Sequence, residues 1–219
     1  MILTNSKITV VIPAFNEEKT IGEVVRSLVL YCNEIIVVND GSSDDTGKKA
    51  LEAGAIVISH DVNKGYDVSV DDGFKKAAEH KPAIIATFDA DGQHQVGDLL
   101  KLADLVKSGQ ADVAIGKRPS FTHVMERIFA FYTSWRFNIP DPLVGLKVYS
   151  YKVYEKIGHF ATMDLIGSQL CIEAAKAGFK IVSLPISINE REDVSRFYSR
   201  RLQGNVKVLR ALIRVILFE

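Results

Sequence analysis

Ile84-Ile85-Ala86-Thr87-Phe88-Asp89-Ala90-Asp91-Gly92-Gln93-His94 is an apolar run that ends abruptly in two carboxylates one residue apart. A short apolar run bounded by a polar turn reads as a buried strand of a parallel sheet. Side chains alternate along a strand, so Asp89 and Asp91 leave it on the same side. Two adjacent carboxylates repel unless a cation lies between them. Mg²⁺-type sites commonly combine carboxylates with the phosphates of a substrate, and open parallel sheets bind ligands beyond the carboxyl ends of their strands. The stretch therefore predicts a metal–diphosphate site at a strand end. The alternative is a plain polar turn, since Asp and Gly are ordinary turn formers.

Outward from that stretch the pattern repeats. Toward the N-terminus, Ile8 to Ala14 is a continuous apolar strand followed by Phe15-Asn16-Glu17-Glu18, and Thr20 to Tyr31 has helical spacing. Ile35 to Val38 is a second strand, ending in Asn39-Asp40-Gly41-Ser42-Ser43-Asp44-Asp45-Thr46, and Ala55 to Ser59 is a third. Asn63-Lys64-Gly65 is a loop, and Val68 to Glu79 reads as helix. Beyond the central stretch come a helix over Val96 to Lys107 and a strand over Ala111 to Gly116. Alternation of helices with wholly apolar strands predicts an α/β fold with a mostly parallel sheet covered on both faces. The second half is less regular. An aromatic-rich segment spans Phe121 to Phe137, read mostly as core and otherwise as an apolar wall facing an acceptor. The turn Asp141-Pro142-Leu143-Val144-Gly145 precedes a short strand over Leu146 to Ser150. A helix over Ser168 to Ala177, a strand over Ile181 to Ile188 and a basic, apolar helix over Val206 to Phe218 complete the chain.

Composition excludes several classes. Lys+Arg 27 balances Asp+Glu 27 in 219 residues, so net charge gives no support to nucleic-acid binding. Cys32 and Cys171 lie far apart in apolar surroundings and read as buried free thiols without zinc or disulfide spacing. No signal peptide follows Met1 and no apolar run is long enough to span a bilayer, which predicts a cytoplasmic protein. The glycine fingerprints of dinucleotide and ATP sites are missing after the first strand, as is a nucleophile elbow. Polar residues instead close three strands: Pro13 to Glu17, Asn39 to Ser42 and Asp89 to Gln93.

Together with Asn63-Lys64-Gly65, those three ordered segments resemble family 2 glycosyltransferases, and most of all the polyprenyl-phosphate (dolichol-phosphate-type) mannosyl- and glucosyltransferases. The resemblance covers about residues 7–197. It implies a GT-A-type nucleotide-binding sandwich over residues 1–195, with a basic amphipathic tail over 196–219. It implies an inverting, metal-dependent hexosyltransferase that moves a sugar from a nucleotide-diphosphate donor to a lipid-linked phosphate. Pro13, Phe15 and Glu17 would line the nucleoside pocket, Asp40 would meet base or ribose, and Lys64 would join them. Asp89, Asp91 and Gln93 would hold Mg²⁺ or Mn²⁺. Arg118 would lie near sugar and acceptor phosphates, and Arg127 would be a second acceptor arginine. Asp141 and Gly145 match a D-x-x-x-G element beside the sugar, with Asp141 the best base should one be required and Asp164 the second. Arg191, Ser195 and Arg196 would form a basic loop over the nucleotide. Tyr66-Asp67-Val68 stands where the family commonly has small residues, and Gln169 where a glutamate is frequent.

Alternatives are transfer to a sugar hydroxyl of a glycan, a nucleotide-binding relative without turnover, and a nucleotidyltransferase. The last usually has a glycine-rich basic loop, which Pro13 to Glu18 does not supply. The tail predicts a peripheral contact with the inner face of a membrane, or packing on the chain's own domain or on a second subunit.

Overall fold

The computed structural model describes residues 8–189 and 201–217, except the side chains of 201–203. The elements in order are β1 (Ile8–Ala14), α1 (Ile21–Val29), β2 (Glu34–Asn39), α2 (Thr46–Glu52), β3 (Ile56–Ser59), α3 (Tyr66–Ala78), β4 (Ile84–Thr87) and α4 (Val96–Lys107). They continue with β5 (Val113–Lys117), α5 (Val124–Phe137), β6 (Lys147–Ser150), α6 (Tyr151–Ile157), α7 (Gln169–Lys176), β7 (Ile181–Pro185) and α8 (Arg201–Leu217). The described strands form one sheet in the order β3-β2-β1-β4-β6-β5-β7. Every pairing is parallel except those of β6, which runs antiparallel to both β4 and β5. The predicted α/β architecture with a mostly parallel sheet is what forms.

The wholly apolar strands are explained by cover on both faces. β1 is buried along almost its whole length, and β4 along all of it. The chain steps from β1 to β2 to β3 in one direction, then returns to place β4 on the other side of β1. Parallel crossovers are right-handed, so that reversal puts α3 on the opposite face from α1 and α2. It also makes the gap between the carboxyl ends of β1 and β4 the topological switch point, where such sheets bind ligands. α3 lies close on the sheet: a Cβ added to Gly73 would sit 2.3 Å from Val11 Cγ1 and 3.2 Å from Val38 Cγ2.

The second half departs from the sequence expectation in three places. The strand expected over Leu146 to Ser150 is β6, and its direction is reversed. α6 was not foreseen, because its seven residues show too little apolar periodicity to stand out. The aromatic-rich segment is a helix, α5, whose Phe129 and Phe137 are buried while Phe131 and Trp135 face outward. α8 packs against α5 through Val208, Ala211, Leu212 and Val215. Arg214 of α8 donates to the carbonyls of Met163 and Asp164, at 2.8 and 2.9 Å. Among the described residues no helix is long and apolar enough to cross a membrane.

α3 ties the halves together. Phe74 packs in a cluster with Tyr149, Tyr154 and Phe160, its ring centroid 4.7 Å from that of Phe160. Asp71 accepts from Phe160 N at 2.7 Å, and Asp67 from Ile166 N at 2.9 Å. Phe74→Ala should cost about 3–5 kcal/mol, the range for emptying a fully buried aromatic site. Urea denaturation of both proteins measures this.

Candidate active site

The carboxyl ends of β1, β2, β4 and β5 and the start of β6 build the site. β4 ends at Thr87, and the next residues turn across the sheet edge. Asp89 is partly exposed, and its Oδ2 lies 3.0 Å from His94 Nε2. Burial alone would raise the Asp89 pKa. The hydrogen bond and charge of His94, with the fields of Lys147 and Arg118, outweigh it and hold the carboxyl below its ordinary range. Asp91 Oδ1 accepts the Gln93 backbone N–H at 3.1 Å, an Asx turn made possible by Gly92 at φ +76°. Both carboxylates are thus held by the protein before any ligand arrives, as metal-ligating carboxylates usually are. Among the described residues no cluster of three or more His, Cys, Asp or Glu could hold a metal alone. A pair of carboxylates fits a cation whose other ligands come from a bound diphosphate.

Beyond Asp91 the turn is sewn to the segment after β7. Asn189 N donates to Gln93 O at 3.0 Å, Gln93 Nε2 donates to Asn189 O at 3.3 Å, and Gln95 Nε2 donates to Asn189 Oδ1 at 3.1 Å. The expected basic loop, with Arg191, Ser195 and Arg196, lies outside the described residues.

The ends of β1 and β2 form one polar rim. Asn16 N donates to Ser42 Oγ at 2.9 Å, Ser43 N to Asn16 Oδ1 at 2.8 Å, and Glu17 N to Thr46 Oγ1 at 2.7 Å. Asn16 accepts a left-handed backbone there, φ 54°, which Asn tolerates better than most residues. Pro13 and Glu17 are half-buried and Phe15 is exposed along this rim. Asp40 is buried, and its carboxylate is heavily used. Oδ1 accepts from Lys64 N and Oδ2 from Gly65 N, each at 2.8 Å, and His60 Nδ1 lies 2.7 Å from Oδ1. His60 Nε2 in turn reaches Asp72 at 3.2 Å. Asp40 therefore holds the Asn63-Lys64-Gly65 loop in place, while the Lys64 side chain is exposed.

The reversal of β6, with the end of β5 and the start of α5, delivers the remaining groups. Its first residue, Lys147, sits beside Thr87, so the Asp141–Gly145 turn arrives at the same sheet edge as Asp89. A Cβ on Gly145 would lie 1.9 Å from Asp89 Oδ2. Thr87 Oγ1 donates to Gly145 O at 2.6 Å, fixing the approach. Arg118, just past β5, forks onto Asp141: Nε to Oδ2 at 2.8 Å and a terminal nitrogen to Oδ1 at 2.9 Å, with the Arg118 backbone N also on Oδ2 at 3.1 Å. Glu126, fully buried in the first turn of α5, reaches the same guanidinium at 3.4 Å. Asp141 is 0% exposed and spends both oxygens on Arg118, so it is not placed to take a proton from a substrate. It is a positioning residue for the arginine. Asp164, the second candidate base, is exposed and paired with Arg214 at 3.1 Å. Arg127 is exposed on α5, where the neighbouring Glu126 turns inward. Lys147 is buried and donates to Val144 O; burial lowers its pKa against the fields of Cys171, Asp141 and Asp89.

Tyr66, the first residue of α3, lies within the fields of Asp89 and Asp91. Burial first, then the charges of Asp89, Asp67 and Asp91, push its phenol well above its ordinary pKa, so it stays protonated. Its ring lies against Gly167, where a Cβ would come 2.7 Å from Cε1. Gln169 accepts from Thr162 N and Met163 N and donates to Glu173 Oε1, a mixture of roles that a glutamate could not fill when ionised. Cys171 is buried and its thiol is pushed up to about 11, and Cys32 to about 12, so neither is a reactive thiolate near neutral pH. A cleft of about 790 Å³ lined by Trp135, Phe137, Phe179 and Ile181 lies at the opposite sheet edge, where β7 begins. Sequence reasoning missed His94, Lys147, Glu126 and His60 as supports of the site. Only His94 carried a local signal, as a histidine closing the Asp-x-Asp-Gly-Gln turn.

The sequence profile described as glycosyl transferase family 2 matches residues 9–165. The chain belongs to that family. Among similar proteins, the polyprenol monophosphomannose synthase of Mycolicibacterium smegmatis is 30% identical over 207 residues, covering 84% of this chain and 77% of that protein. The UDP-N-acetylglucosamine–dolichyl-phosphate N-acetylglucosaminyltransferase of Methanococcus voltae is 36% identical over 134 residues, 53% of each chain. The fold matches glucosyl-3-phosphoglycerate synthase from Mycobacterium tuberculosis, solved with Mn²⁺ and UDP-glucose, at a TM-score of 0.74 and 20% identity, covering 96% of this chain and 79% of that one. The GT-A-type architecture is thereby shown, and the family 2 chain is a glycosyltransferase.

The Asp89–Gly145 contact generates a sharp expectation for this glycosyltransferase. Gly145→Ala must displace the Asp89 carboxylate and should lower sugar transfer by about a hundredfold, the scale of loss when a site is misplaced by roughly 1 Å. Circular dichroism should show the fold retained. A rate near that of the unaltered chain would separate Asp89 from the chemistry.

Proposed function

We propose that the chain is an inverting hexosyltransferase that moves a sugar from a nucleotide-diphosphate donor to a lipid-linked phosphate. The observation that carries this reading is the sealing of Asp141 onto Arg118. A hydroxyl acceptor must lose a proton to a base, and the best-placed carboxylate is committed to an arginine. A phosphate monoester is already largely dianionic near neutrality, its second pKa being about 6. It needs a cation to place it, and Arg118 is held ready by two buried carboxylates. The names of the M. smegmatis and M. voltae relatives support the same acceptor class.

On this reading the rim from Pro13 to Glu17, with the loop that Asp40 holds, receives the nucleoside. Lys64 faces its phosphates; Arg191 and Arg196, the other basic residues of this reading, lie outside the described residues. Asp89, Asp91 and the Gln93 amide are the donor set for Mg²⁺ or Mn²⁺, which when bound offsets charge on the departing diphosphate. Asp89, held below its ordinary pKa with His94 beside it, offers a charged carboxylate to a cation. Arg118, whose field reaches Asp89, orients the acceptor phosphate for attack on C1 from the face opposite the leaving group. Arg127 is the second acceptor arginine of this reading.

Asp91→Asn keeps size and removes charge. It should abolish transfer and the metal-dependent part of donor binding, read as the loss of a Mn²⁺-dependent thermal shift with nucleotide sugar. Arg118→Ala should reduce transfer to polyprenyl phosphate by about a hundredfold or more while the donor thermal shift persists. Polyprenyl phosphate, phosphoglyceric acid and a glycan should be offered side by side with the same donor. Sugar on either of the last two, with none on polyprenyl phosphate, overturns the acceptor assignment.

A further inference from the structure

α5 has two unlike sides. Phe129, Ala130, Thr133 and Phe137 face the core, while Val124, Ile128, Phe131 and Trp135 face outward, Phe131 76% and Trp135 75% exposed. Residues three and four apart share a helix face, so the four exposed side chains form one apolar line along α5. Beside it, α8 buries Val208 and Leu212 and leaves Leu209, Ile213 and Ile216 exposed. Met125 N of α5 donates to Asn205 Oδ1 of α8 at 3.3 Å, so the two helices lie together. Concentrated apolar surface of this kind marks an interaction site.

The charges choose the partner. Arg127 and Arg136 are exposed on α5, and Lys207 and Arg210 on α8. The one acid of α5, Glu126, is buried against Arg118, and α8 contains no acid. A second copy docking through this face would bring cations onto cations, which disfavours association. An anionic bilayer offers apolar depth for the line and negative headgroups for its basic flanks. α5 also starts at the candidate site, since Glu126 in its first turn contacts Arg118. We propose that the exposed faces of α5 and α8 dock on an anionic lipid bilayer, setting Arg118 at headgroup level where a lipid phosphate lies. The purpose of the docking rests on the lipid-phosphate reading, but the docking itself is measurable without any acceptor.

Trp135 is the only tryptophan in the chain, so its emission reports on this surface directly. The full chain is titrated with vesicles of phosphatidylglycerol and phosphatidylcholine that contain no polyprenyl phosphate. The expected result is a blue shift, quenching by bromines in the acyl chains, and weaker binding in high salt or with phosphatidylcholine alone. Ile128→Ser combined with Phe131→Ser should lower vesicle partitioning on the order of tenfold or more, given the apolar area removed, and leave the donor thermal shift unchanged. Emission indifferent to anionic vesicles overturns the proposal. So does emission already blue-shifted without lipid, together with a dimer in sedimentation that the double variant dissolves. Vesicle binding without transfer to polyprenyl phosphate sinks the acceptor reading alone and leaves the docking standing.

Discussion

Asp89 and Gly145 approach so closely that no side chain fits between them, and much of the active-site edge is arranged around that contact. It requires a glycine before β6, a short bond from Thr87 to the glycine carbonyl, and a strand that enters the sheet from the ligand-binding edge instead of leaving it there. A parallel strand inserted between β4 and β5 would carry its preceding turn to the far edge. The antiparallel direction of β6 is thus the condition under which Asp141, Gly145 and Lys147 share a site with Asp89.

Around that contact the charges are paired before any ligand arrives. His94 braces Asp89, Asp141 and Glu126 hold Arg118, and Asp40 holds the amides of Lys64 and Gly65. Buried ion pairs add little net stability, because desolvation offsets their attraction. Their value here is positional. A guanidinium fixed by a bidentate partner and a carboxylate fixed by an imidazole lose less freedom on binding charged ligands than mobile side chains would. Tyr66, kept neutral first by burial and then by the charges of Asp89, Asp67 and Asp91, adds a proton donor beside them without adding charge.

α3 and α5 each serve both the fold and the site. α3 begins at the loop that Asp40 anchors, holds the 160–167 segment through Asp67 and Asp71, and supplies Phe74 to the core. That segment carries left-handed backbone at Asp164 and Ile166. For a β-branched residue this conformation is strained and persists only where its surroundings impose it; the bond from Ile166 N to Asp67 is one such restraint. α5 buries aromatic side chains on one side, contacts Arg118 through Glu126, and exposes a second apolar line on the other.

The strands and helices of the first half were legible because each strand is apolar throughout and each helix carries its own periodicity. The polar clusters after β1, β2 and β4 were legible as a site because parallel strands put all their carboxyl ends on one edge. Asp89, Asp91, Arg118 and Gly145 were named from sequence, and the fold brings Asp89, Arg118 and Gly145 to that edge. The role of Asp141 was not legible. A base and an arginine anchor look alike in sequence, and only full burial against Arg118 separates them. Nor could the supports be read: His60 meets Asp40 across twenty residues, and Glu126 meets Arg118 from a different element, contacts that leave no local spacing. The aromatic run of α5 was visible as composition, but which rings face the core depends on where the helix lies. The sequence by itself determined the alternation of elements and the polar strand ends, since both follow from local side-chain periodicity. Tertiary structure alone decided the direction of β6, the pairing of Asp141 with Arg118 and the outward face of α5, since each depends on which distant elements become neighbours.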